Sequence, residues 1–478
     1  MSAPTTDEQR AGVRLAEGSS ATELFHGVVR DTVAAFPDVF GSLKVPDSAI
    51  AFKRSYPELL PRLEATRLAS ARRSEVAARA VDHARRCFVV GPDATPLLDA
   101  VAASADAFEC DVHRFGGVPG LVPSVPVAGR DLRHDELVDE VDAMVDRGSA
   151  SPAVADAVRR LVALDGGIDL TGRRIAVFGA GAELAPTRAW LAGGADVLWL
   201  DLADPPSELL DDESLAGSLR WVPGGVDLLL EPARVRATIE EFCAGSAVDL
   251  GLYAYAPGRA REWRLTATMN AIVDALPAAS VASVAMLVSP TTCGSLTATE
   301  REWEHARRSG RPRWQSVVAA MRLLGSGDGH AAAGEAAANR GIVAIQGASY
   351  QAAQYLGKIL SAEAWASADL PRRVSANTAG VSLTESLQHP VFDLAFAGAA
   401  ALGVETYEPA TTAALNGLLT LDDRLHGGST SGVDELFGTR VHGGIYALPY
   451  PIEPALRVAA ALGALRHPRR VMSLVRRR

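Results

Sequence analysis

The chain is poor in cysteine, in positive charge and in long apolar runs, each of which removes a class of protein, and it is also poor in lysine. Four cysteines in 478 residues, Cys87, Cys110, Cys243 and Cys293, lie far apart without a C-x-x-C pair, which excludes a disulfide framework and a structural zinc. The ten histidines form neither H-x-x-x-H nor H-E-x-x-H, so no metal site is expected. Positive charge is short, with 47 Lys and Arg against 57 Asp and Glu and a net charge of -10. No global field therefore draws the chain to nucleic acid. No apolar run approaches the roughly 20 residues of a membrane span, and the polar start MSAPTTDEQRAGV lacks the apolar core of a signal peptide. The expectation is a soluble, cytoplasmic protein. Lysine is reduced to Lys44, Lys53 and Lys358 beside 44 arginines, so a lysine that persists is singled out.

What is present is core material: 48% of residues are apolar and 22% charged. At about 100–200 residues per domain, the length allows two to four domains. Residues 1–167 read as a mostly helical region, with Glu23 to Phe36, Arg72 to Arg86, Asp135 to Arg147 and Pro152 to Leu164 as helices. A small α/β unit lies inside it, from the strand at Arg86 to Val90 to a second strand at Glu109 to Phe115. The Gly- and Pro-rich stretch Gly116 to Pro126 reads as an extended, lid-like loop.

From Thr171 onward, short apolar runs alternate with helical segments, the pattern of βαβ units and a parallel sheet. The strands drawn from it are Arg174 to Phe178, Asp196 to Asp201, Gly225 to Leu229, Asp249 to Tyr255, Val281 to Ser289 and Arg373 to Asn377. Thr297 to Arg340 reads as a helical insertion with a glycine hinge at 325–329. The fold class is α/β, a doubly wound parallel (Rossmann) sheet over 168–478 with an added N-terminal region.

Within the first unit, Arg174-Ile-Ala-Val-Phe-Gly179-Ala-Gly181 is a strand that breaks into glycines before a helix. Glycines at such a place let the backbone approach a pyrophosphate at a helix N-terminus. Leu184 stands where the full G-x-G-x-x-G pattern has its last glycine. The next strand ends in Asp201, 22 residues beyond Gly179, where a carboxylate can bond a ribose 2′-hydroxyl and repel a 2′-phosphate. That favours NAD over NADP.

From Thr171 to Thr384 the ordered landmarks resemble the short-chain dehydrogenase/reductase family. Val226-Asp227-Leu-Leu-Leu-Glu-Pro resembles its third strand and the helix start that follows, and Val248 to Gly258 resembles V-D-x-L-V-N-N-A-G with both asparagines replaced. The resemblance implies that Asp227 caps the adenine, that Asn270 is the structural or relay Asn and that Ser289 orients the substrate. It also implies that Val374 to Thr384, with Asn377, Gly380 and Thr384, covers the nicotinamide. The family's Tyr-x-x-x-Lys is missing at its usual place. The helix Ser349 to Lys358 offers two registers: Tyr355 with Lys358 three residues on, or Tyr350, whose i+4 neighbour is Gln354 and which stands about 12 Å along the axis from Lys358. The first is preferred for its same-face spacing.

The expected work is hydride transfer between NAD(H) and a carbonyl or alcohol of an organic, bulky substrate, with Tyr as general acid/base. The alternatives are a catalytically lapsed dinucleotide-binding sensor or structural protein, and a non-redox epimerase or isomerase that retains NAD. The expected partner is a small molecule, with self-association of the kind common in the family. The basic tail 466–478 reads as solvated, with contact to anionic lipid as its alternative.

Overall fold

The computed structural model describes residues 12–16, 19–325, 327–368, 372–384, 390–426 and 436–466. Of the basic tail only Arg466 falls within them. The first part of the chain runs β1 (Val13–Leu15), α1 (Ala21–Ala35), α2 (Ala49–Leu68), α3 (Arg73–Arg85), β2 (Phe88–Val90), α4 (Leu97–Ala102) and β3 (Asp111–Arg114). It continues through β4 (Ser124–Val127), β5 (Arg130–Arg133), α5 (His134–Asp146) and α6 (Pro152–Val162). Capping explains the start of α1, where Ser20 and Glu23 form a reciprocal capping box. Helix α2 is not read from the sequence because Pro57 and Pro61 lie inside it, and proline ordinarily ends a helix.

The second part begins β6 (Arg174–Phe178), α7 (Thr187–Ala192), β7 (Asp196–Leu200), β8 (Ser218–Trp221), α8 (Pro232–Cys243), β9 (Val248–Leu252), α9 (Arg261–Ala275) and β10 (Val281–Val288). After α10 (Ala298–Ser309) and α11 (Arg313–Ala320) comes a hairpin, β11 (His330–Ala333) and β12 (Ala336–Asn339). The stretch expected to be a helical insertion is thus part helix and part hairpin. Its alanines favour helix, but Gly334, at φ +58°, starts a two-residue turn that folds the run back on itself. Then follow α12 (Ala348–Gln354), a wide π turn (Tyr355–Leu360), α13 (Ser361–Ser367), β13 (Arg373–Thr378), α14 (Pro390–Ala399), α15 (Pro409–Leu425) and α16 (Ile452–Arg466).

Among the described residues seven strands form the main sheet, in the order β13-β10-β9-β6-β7-β8-β3. Six are parallel, and β3 closes the edge antiparallel to β8. Strand order therefore reverses between β6 and β9, the crevice where doubly wound sheets bind ligands at the carboxyl ends of their strands. The third parallel strand is Ser218–Trp221 rather than the expected Gly225 to Leu229. Gly224 and Gly225 both have φ of +81°, and a Cβ on Gly225 would meet Leu202 O at 2.3 Å, so the chain must turn there.

Alternating strand residues feed two cores. Ala176, Phe178, Leu198 and Leu250 pack with α1, α2, α3, α8, α9 and α12, while Ile175, Val177, Val197 and Leu219 pack with α5, α6, α7 and α15. Both faces thus hold residues from either side of position 167. A third cluster joins α14, α16 and the turns at 400–402 and 445–447. Helices α14 and α16 approach closely because Gly398 and Gly463 lack side chains; a Cβ on either would lie 2.0 Å from a carbonyl of the other helix. Among the described residues no helix is long and apolar enough to cross a membrane.

Candidate active site

The site starts at the reversal of strand order. Strand β6 ends in Gly179, at φ +72°, where a Cβ would stand 2.5 Å from the backbone of Ala254 beyond β9. Only glycine allows that crossing. The loop stays non-helical to Pro186, and α7, six residues long, begins at Thr187, whose hydroxyl donates to Ala180 O at 2.7 Å. At the end of β7, Asp201 Oδ2 accepts from Gly181 N at 2.8 Å and its Oδ1 from Leu202 N at 2.7 Å. A Cβ on Gly181 would lie 2.9 Å from Trp199 Cζ2, so glycine is needed there as well.

A cavity of about 630 Å³ opens at the carboxyl ends of β6, β9, β10 and β13. Gly181 and Leu184 line it from the first loop, Tyr253 and Tyr255 from beyond β9, Ser289 from beyond β10, and Gly380 with Thr384 from beyond β13. Tyr350, Gln354 and Lys358 enter it from α12 and the π turn. Ser289 is held tightly: its N–H donates to Gln354 Oε1 at 2.9 Å, and its hydroxyl lies 2.8 Å from that of Thr291. Thr291 in turn donates to Gln346 Oε1 at 2.9 Å.

The π turn decides what faces the cavity. Eight residues of plain α-helix overshoot two turns by about 80°, and the wider π turn removes most of that excess, so Tyr350 and Lys358 share a face. The carbonyl of Gly357 in this turn is bonded by Asn270 Nδ2 at 2.7 Å, and Asn270 also donates to Ser361 Oγ at 3.1 Å. Asn270 is thus a buried support of the turn that aims Lys358.

Lys358 Nζ donates to Leu287 O on β10 at 2.6 Å, and desolvation lowers its pKa to about 8. The Tyr350 phenol moves the other way. Burial raises its pKa, against the pull of the Ser289 and Thr291 hydroxyls beside it, and Glu262 adds to the rise. Its ring meets that of Tyr255 edge-on at 6.2 Å.

Gly179 and Asp201 adjoin the first loop without lining the cavity, and four other expected site residues lie elsewhere. Tyr355, the preferred catalytic tyrosine, is buried away from the cavity and donates to Glu64 Oε2 at 2.8 Å. Burial and the Glu64 carboxylate both push its phenol well above the ordinary range. The same Glu64 and Glu363 hold Arg67 at 2.8 Å each, a buried network that ties α2 to α13. The three-residue spacing from Lys358 fails because the π turn rotates Tyr355 toward this network. Asp227 Oδ1 accepts from Leu229 N at 2.8 Å and closes a turn. Asn377 donates to Ser375 and Asp423 beneath β13, and Asn270 lies behind the π turn.

Sequence reasoning missed Thr291, Gln346 and Tyr255, and the apolar wall from α14 and α16. Both helices carried a readable signal, apolar residues at i, i+3, i+4 and i+7.

No family model matches the chain, and no curated protein matches it. Among solved structures it is similar to a short-chain dehydrogenase/reductase (glucose/ribitol dehydrogenase) from Brucella melitensis, at 14% identity and a TM-score of 0.32, over 58% of this chain and 98% of that one.

Proposed function

We propose that the chain is a nicotinamide-dinucleotide-dependent oxidoreductase that interconverts a carbonyl and an alcohol. One observation carries this reading: Ser289, Tyr350, Lys358 and the loop glycine Gly181 line a single cavity at the reversal of strand order. The residues present suit a dinucleotide. Gly181, whose missing Cβ makes room for the Trp199 ring, brings the loop backbone to the cavity wall, and the Asp201 oxygens, each accepting one backbone N–H, keep lone pairs for ribose hydroxyls. The carboxylate disfavours a 2′-phosphate, so NAD is preferred over NADP.

A bound nicotinamide would supply or accept the hydride. Tyr350, kept protonated by burial, gives its proton to the carbonyl oxygen in reduction and takes it back in oxidation. The Ser289 hydroxyl, fixed by Thr291, orients that oxygen. Among the described lining residues Lys358 is the cation and Glu183 the anion.

A second reading, binding without turnover, draws on Gln354 standing one turn after Tyr350 and on the raised rather than lowered phenol pKa. Titration with NADH and NADPH by nicotinamide fluorescence, followed by turnover with a panel of uncharged aldehydes and ketones, tests both. NADH binding weakened by Asp201→Ala and turnover abolished by Tyr350→Phe is the expected result. Binding with no turnover of any carbonyl selects the second reading, and binding of neither dinucleotide refutes both.

A further inference from the structure

Protein interiors leave few voids larger than a water molecule, so an open volume of about 630 Å³ is a built feature of this fold. Its far wall has a regular origin. Phe392, Ala395, Phe396 and Ala399 line it from α14, at i, i+3, i+4 and i+7. Ile452, Ala455, Leu456 and Ala459 line it from α16 at the same spacing. Two helices therefore turn one apolar face each toward the cavity, and alanine at every i+3 and i+7 position hollows the wall between the larger side chains. The glycine contacts at 398 and 463 pin the two helices together, so neither can slide in to fill the space. Leu402, Val404, Ile445 and Leu448 continue the apolar surface. Among the described lining residues the two charged ones, Glu183 and Lys358, do not belong to this wall.

We infer that the substrate is an uncharged alcohol or carbonyl compound with a long or bulky hydrocarbon body, which lies against α14 and α16 while its oxygen meets Ser289 and Tyr350. A sugar, a phosphorylated metabolite or a dicarboxylate would strand its polar groups against this wall without partners, at a cost that excludes it. The inference rests on the oxidoreductase reading for the role of the oxygen and on the cavity alone for the hydrocarbon body.

Binding of the uncharged fluorophore N-phenyl-1-naphthylamine to the full-length protein, and its displacement by straight-chain 1-alkanols from butanol to decanol, tests the hydrocarbon body apart from the chemistry. Affinity is expected to rise roughly fourfold per added methylene until the arm is filled. Ala455→Phe, or Ala399→Phe should the first variant fail to fold, is expected to weaken decanol at least tenfold and leave butanol and NADH binding unchanged. Affinity independent of chain length, or decanol binding indifferent to a folded bulky variant, overturns the inference. The same alkanols with NAD separate the two claims. A chain-length trend without hydride transfer from these alkanols, and without turnover of any carbonyl in the panel above, upholds the apolar site and selects binding without turnover.

Discussion

Replacing Lys358 with methionine removes a cation whose burial the fold opposes, and the consequence is measurable without knowing the substrate. Its pKa falls from the ordinary 10.5 to about 8 through desolvation. At about 1.36 kcal/mol per pH unit, that fall corresponds to a penalty of about 3 kcal/mol carried whenever the amine is charged in both states. Below about pH 8 the folded and unfolded chains both hold the proton and the penalty is present in full. Between about pH 8 and 10.5 the unfolded chain binds more protons than the folded one, so stability rises with pH. Lys358→Met keeps the stem and loses the bond to Leu287 O, worth about 1 kcal/mol. The variant is therefore expected to be more stable by about 2 kcal/mol at about pH 7 and nearly equal to the parent at about pH 9.5. Urea unfolding of both proteins at the two pH values reads the difference, in which other titrating groups cancel. Selective ¹³Cε-lysine labelling adds a direct measurement, since the chain has only three lysines. One of the three signals should titrate near pH 8 and disappear in the variant. A Lys358 signal that titrates near its ordinary value, or a stability difference that does not change with pH, would refute the argument that desolvation governs this amine.

Arg67→Ala leaves Glu64 and Glu363 buried without their common cation and is expected to cost about 3–5 kcal/mol in chemical unfolding; a cost below about 1 kcal/mol would mean that the network does not hold α2 to α13. Tyr355→Phe removes one hydrogen bond to Glu64 and should lower stability by about 1 kcal/mol, read in the same unfolding assay, while dinucleotide affinity and any turnover stay within about twofold. A loss of turnover in Tyr355→Phe comparable to that in Tyr350→Phe would return the catalytic role to Tyr355.

Much of the sheet was legible in the sequence because its signals are local. The runs Arg174–Phe178 and Val281–Val288 are apolar, short and bounded by turn residues, which is what a strand buried on both faces requires. Gly179 and Asp201 were legible for the same reason: each marks the end of such a run. The alanine stretch 330–339 misled because helix propensity is a weak preference, and the turn at Gly334 outweighs it. Helix α2 was hidden by prolines that packing overrides, with Tyr56, Leu60 and Leu63 buried along it.

The sequence by itself determined a parallel α/β sheet, a glycine loop followed by an acid, and a short list of hydroxyls and one lysine near the sixth strand. It could not choose between two tyrosines five residues apart on one helix. That choice depends on a π turn supported by Asn270 from another helix and on Glu64, which reaches Tyr355 from 291 residues away. Nor could it show that α14 and α16 close an apolar arm onto the strand ends. Such facts belong to tertiary structure because local sequence sets which face of an element is apolar, while long-range packing sets what that face meets.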